Sequence, residues 1–74
     1  MIKDTLVSLI LKSKKERYLG KISTEEGNYY YSIFDKDNVY SFWRYVNSKL
    51  VLDEGGLNLV EFQFKLYMLE NREV

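Results

Sequence analysis

Turn-forming clusters divide this chain into short apolar runs. The clusters "KSKKE", "TEEGN", "DKDN", "NSK" and "DEGG" recur along it at the spacing of roughly eight to twelve residues that a meander of short antiparallel strands produces. The runs between them are rich in Val, Ile, Tyr, Phe and Trp, which suit a pleated surface. Alternation is clearest in "LNLVEFQFKLYML". There Val60, Phe62, Phe64, Leu66 and Met68 fall on one side and Glu61, Gln63 and Lys65 on the other, which predicts a strand with Phe62 and Phe64 in the core. "DEGG" is then the turn of a hairpin joining it to "KLVLD", with two glycines free to take positive φ.

Two segments fit both periods. "TLVSLILKS" and "ERYLGKIS" make a hairpin, with Gly20 easing a bulge or a close backbone approach. A helix over about 4–18 competes, with Asp4 near its start, Lys14, Lys15 and Arg17 near its negative end and Gly20 as terminator. The stripe Leu6, Leu9, Ile10 does not continue at Ser13 or Arg17, so the hairpin is preferred. In "NVYSFWRYVNSKL", the residues Val39, Phe42, Trp43, Val46 and Leu50 have helical spacing, with Asp37 as a possible cap. As a strand the same segment is apolar on both sides, with Tyr40, Phe42 and Val46 opposite Val39, Trp43 and Tyr45. The bracketing turns favour the strand. The expected fold is mainly β, a small antiparallel meander or barrel-like domain of five or six strands that leaves room for one helix around 38–50. The alternative is an α+β domain with that helix packed on an antiparallel sheet.

From Val7 to Ile33 the order "VSLIL", "KSKKE", "YLGKI" resembles small SH3-like and Sm-like barrels. The resemblance implies a barrel, covers about a third of the chain, and carries over no functional residues, because Glu26 and Tyr30 stand where Sm proteins have Asp and Asn.

Length sharpens the question of what covers the rings. A chain of 74 residues is expected to form one domain, and a domain of that size withdraws only roughly 60% of its unfolded surface from water. In "YYYSIFD" both faces are rich in rings, with Tyr29, Tyr31 and Ile33 on one and Tyr30, Ser32 and Phe34 on the other. A small monomer is not expected to bury both, so some rings should lie at an interface. With no Cys and no His, disulfides and most metal sites are closed as sources of stability, and a homodimer is expected.

The same absences narrow the chemistry. There is no thiolate nucleophile, imidazole base or zinc triad, and no enzyme, metal or cofactor is expected. The carboxylate pairs Glu25/Glu26, Asp35/Asp37 and Asp53/Glu54 read as turn residues. A calcium loop starting at Asp35 fails at Val39, Tyr40 and Val46. Ser13/Glu16 and Ser23/Glu26 precede no helical run, and Gly55–Gly56 lacks the rest of a phosphate loop.

Net charge is zero but unevenly spread. Residues 1–22 hold six basic and two acidic side chains, a balance of +4, and residues 23–74 hold five and nine, a balance of −4. The basic group Lys12, Lys14, Lys15 and Arg17 with Tyr18 supports an alternative function, a small-barrel nucleic-acid-binding protein. The neutral total argues against it. The leading expectation is a non-enzymatic protein-protein interaction module. Tyr30, Tyr40, Trp43 and Tyr45 are then its partner-binding rings, and Asp35 and Asp37 its polar rim. The absence of Pro and Ala, with abundant Lys, Asn, Tyr, Ile and Phe, suits an AT-rich genome, as in a small phage or mobile-element protein that binds and modulates a host or viral protein. "TLVSLIL" is too short for a membrane span, so a cytoplasmic location without membrane contact is expected.

Overall fold

A computed structural model describes residues 2–73. Helix α1 (Ile2–Ser13) leads into strands β1 (Arg17–Thr24), β2 (Gly27–Phe34), β3 (Val39–Val46) and β4 (Lys49–Leu57), and helix α2 (Leu59–Glu70) follows. The strands form one open antiparallel sheet in the order β1-β2-β3-β4. The domain is therefore α+β, with helices at both ends of a four-stranded meander, not the mainly β meander or barrel-like domain of five or six strands expected from the turns. "TEEGN", "DKDN" and "NSK" are hairpin connections, and the segment after "DKDN" is strand β3, with no helix over 38–50.

The two helices answer the question of the doubly apolar strands. Strand side chains alternate between faces, and each face has its own core. On one, Ile22, Tyr29, Phe42 and Leu57 meet Phe62 and Leu69 of α2, with Tyr31, Tyr40 and Leu66 packed against them. On the other, Tyr30 and Trp43 meet Val7 and Leu11 of α1, flanked by Tyr18, Tyr45 and Leu50. The sheet is a middle layer, so a chain this short buries both of its faces without a second copy.

α2 overturns the strand expected over its residues. Two residues along a helix turn through about 200°, so a period-two set lands alternately on opposite sides. Phe62 and Leu66 point to the sheet, while Val60, Phe64 and Met68 point away. The start of the helix is encoded at Asn58: its Oδ1 accepts from the Glu61 N–H at 2.8 Å, and its own N–H donates to Glu61 Oε1 at 2.9 Å. This reciprocal capping box favours a helix start and leaves "DEGG" inside β4 instead of in a turn. There the glycines accompany one irregularity in the ladder with β3, between Leu57 and Glu54, and Gly56 takes φ 67.

α1 is shorter than the helix weighed over 4–18. Its inward residues Val7 and Leu11 are fully buried, a single i, i+4 pair that needs no continuation at Ser13 or Arg17. The helix ends before Gly20, in a Schellman turn. Glu16 N–H donates to Leu11 O at 2.8 Å and Lys15 N–H to Lys12 O at 2.9 Å, with Lys15 in the left-handed region at φ 64. The resemblance to Sm-like barrels fails at this point, since "VSLIL" is helical and the sheet stays open.

Gly20 lies at a bulge, as its sequence position suggested, and what comes close to it is a side chain and not another backbone. The β1–β2 register shifts between Tyr18 and Gly20, which turns Tyr18 toward α1 and Ile22 toward α2. A Cβ at position 20 would also lie 2.7 Å from the Tyr31 hydroxyl.

The β3–β4 loop offers a stability test. Asn47 and Ser48 both have positive φ, 53° and 65°, in a two-residue connection closed by the Val46–Lys49 pair. That geometry favours Gly at the second position. Ser48→Gly is expected to raise stability by about 1 kcal/mol, seen as a melting temperature about 4–8 °C higher at fixed protein concentration. A lower melting temperature would contradict the turn geometry.

Candidate protein-interaction surface

The outward side of α2 is apolar. Inward-facing Phe62 and Leu69 are buried, yet Val60, Phe64 and Tyr67 are 73%, 65% and 62% exposed, and Met68 is nearly half exposed. At 100° per residue these four fall within about one third of the helix circumference, directly opposite the buried stripe. They present on the order of 400 Å² of contiguous surface, within the range of the largest patch on a typical monomer.

Charged residues border this face on the β4 side. Glu54, Leu57, Glu61, Phe64, Lys65, Met68 and Arg72 line a shallow groove of about 330 Å³ between α2 and β4. Lys65 Nζ fixes the helix to the strand, 3.1 Å from Asp53 Oδ2 and 3.0 Å from Glu54 Oε1. Its stem crosses the core edge, with the ammonium 5.4 Å from the centre of the Phe42 ring. Burial pulls the Lys65 pKa down, but the bonds and charges of Glu54 and Asp53 outweigh it, and the net shift is upward. Asp53 and Glu54 are thus strand residues holding a cation, which replaces the turn role read from sequence. Arg72 Nη1 lies 3.3 Å from Glu26 Oε1, and Thr24 pairs with Glu73, so the end of α2 is tied back to β1.

The expected partner-binding rings are elsewhere. Tyr30 and Trp43 are 1% and 8% exposed and form the core beneath α1, where Trp43 Nε1–H donates to Ser32 Oγ at 2.9 Å. Ser32 in turn donates to Glu16 Oε1 at 2.8 Å. Tyr45 is half-buried edge-on to Tyr30, ring centres 5.9 Å apart, and burial followed by the Tyr30 hydroxyl raises its pKa. Tyr40 is half-buried on the opposite face, stacked on Phe62 at 4.2 Å. Asp35 and Asp37 are exposed in the β2–β3 turn. The structure does not bring these six residues together on one surface.

The basic group is partly assembled. Lys12, Arg17 and Tyr18, with Ser8 and Glu16, line a groove of about 330 Å³ between α1 and β1. The Arg17 guanidinium is held as a fork by Asp35, at 2.9 and 2.8 Å. The hydrogen bond and charge of Asp35 raise the Arg17 pKa, and the same bond lowers that of Asp35. Lys14 lies 5.9 Å from the centre of the Trp43 ring, and Lys15 occupies the left-handed cap. Burial, then Asp4, pushes the Tyr18 hydroxyl up to about 12.

Among the described residues no group of three or more carboxylates converges to hold a metal ion, and no helix is long and apolar enough to cross a membrane. What the sequence reading missed is the outer face of α2. Its signal was Asn58-x-x-Glu61, which becomes visible once Asn is admitted alongside Ser and Thr as a capping-box residue.

The architecture defines a small α+β class: an open four-stranded meander with one helix on each face. No family model, curated protein or solved structure shows a significant match to the chain.

Proposed function

We propose that this chain is a non-enzymatic protein-protein interaction module whose docking surface is the outer face of α2. The observation that carries this reading is the side-by-side exposure of Val60, Phe64, Tyr67 and Met68 on a helix whose inward side already fills the core. Their exposed area gains free energy only when another surface withdraws it from water. The composition fits a small phage or mobile-element product acting on a host or viral protein.

Phe64→Glu tests the surface. It places a charge at the centre of the patch without touching either core, so the urea midpoint should stay within about 0.5 kcal/mol of wild type. Binding to a partner captured by the wild-type chain should fall at least about tenfold. Lys14→Glu/Lys15→Glu should leave that binding unchanged. Capture that survives Phe64→Glu but not the lysine exchanges would move the docking surface to the basic end of α1.

A further inference from the structure

The flanks of the α2 patch are self-complementary in charge, and from this we infer that the partner on that face is a second copy of this chain, with the two α2 helices packed antiparallel about a two-fold axis. This rests on the outer face of α2 being a docking surface. Helices related by such an axis place each flank against its own equivalent, running in the opposite direction. One flank carries Glu61 at the start of α2 and Arg72 just beyond its end, both lining the groove beside β4. The opposite flank carries Gln63 and Glu70, which share a side at 100° per residue.

The apolar residues and the flanking residues call for axes one residue apart. An axis between Phe64 and Tyr67 sets each Phe64 against the Tyr67 of the other copy and Val60 beside Asn71. An axis displaced by about one residue, roughly 1.5 Å, pairs Glu61 with Arg72 and Gln63 with Glu70. Long side chains absorb that offset, and Arg72, 3.3 Å from Glu26 Oε1 within one copy, is then shared between Glu26 and the other copy's Glu61. A parallel two-fold pairing would instead set the Glu61 and Arg72 flank against the Gln63 and Glu70 flank and lose this match. The patch gives on the order of 400 Å² per copy, below the roughly 800 Å² of a standard interface. Association is therefore expected at about 1–100 µM.

Sedimentation of the purified full chain across that range tests the inference, with far-UV circular dichroism to confirm that α2 persists in each variant. Wild type should pass from monomer to dimer, and Phe64→Glu should weaken this at least about tenfold. Arg72→Glu alone and Glu61→Arg alone should each weaken it about tenfold, because both symmetric pairs become repulsive. Mixing the two variants should restore wild-type association, since the heterodimer regains both pairs. A wild-type chain that stays monomeric up to about 500 µM, a dimer indifferent to Phe64→Glu, or a mixture that is not restored would each overturn the inference. A monomer whose capture of another protein still depends on Phe64 would remove the second copy while leaving α2 as the docking surface.

Discussion

Phe42→Ala is expected to cost about 3–5 kcal/mol of folding free energy. The side chain is fully buried, its ring centre 5.8 Å from that of Tyr31 and 5.4 Å from that of Phe62. Those neighbours are held from two directions. Tyr31 sits on the adjacent strand, and Phe62 sits on a capped helix and stacks on Tyr40, so the space left by the ring closes poorly. A chain of this length has about 4–11 kcal/mol of stability to lose, so the variant should be largely unfolded well below the wild-type urea midpoint. Phe64→Ala removes the same ring from the outer side of α2 and should shift stability by no more than about 0.5 kcal/mol. Comparable losses at the two sites would contradict the assignment of Phe42 as inward and Phe64 as outward.

Trp43→Ala should cost a similar amount, about 3–5 kcal/mol, although the neighbouring Phe42 points the other way. This is the sharper test of a three-layer domain. In a two-layer domain one of two consecutive strand residues faces water, and only one of the two substitutions is expensive. Here Trp43 lies under Val7 and Leu11, and its indole N–H satisfies Ser32. Trp43→Phe should recover much of the loss, leaving a deficit of about 1 kcal/mol for the hydrogen bond that Ser32, still donating to Glu16, no longer accepts. A Trp43→Ala cost below about 1 kcal/mol would show that α1 does not cover this face in solution.

The hairpin turns were legible because they depend on local residues: Glu25-Glu26-Gly27, Asp35 to Asn38 and Asn47-Ser48 mark chain reversals without reference to the core. Gly20 was legible for the same reason. The helices were hidden by different physical causes. α2 is apolar on both its inward and outward sides, so polarity does not mark its period, and even-numbered positions mimic a strand face. Among the described side chains of α1, Val7 and Leu11 alone join the buried core, and the more conspicuous Leu6 and Leu9 are exposed. The error in site residues followed directly. Tyr30 and Trp43 looked surplus to one core, and only the placement of α1 shows that they belong to a second.

The Thr24–Glu73 bridge ties the residue that follows α2 to the end of β1, far back along the chain, whereas every ladder of the sheet joins consecutive strands. Loop-closure entropy rises only logarithmically with length, and most of the ordering here proceeds through connections of two to four residues. The sheet is thus assembled from short-range contacts, the regime in which the conformational search is rapid, and the two cores close over it through distant ones, Trp43 with Val7 and Leu11 and Ile22 with Phe62 and Leu69.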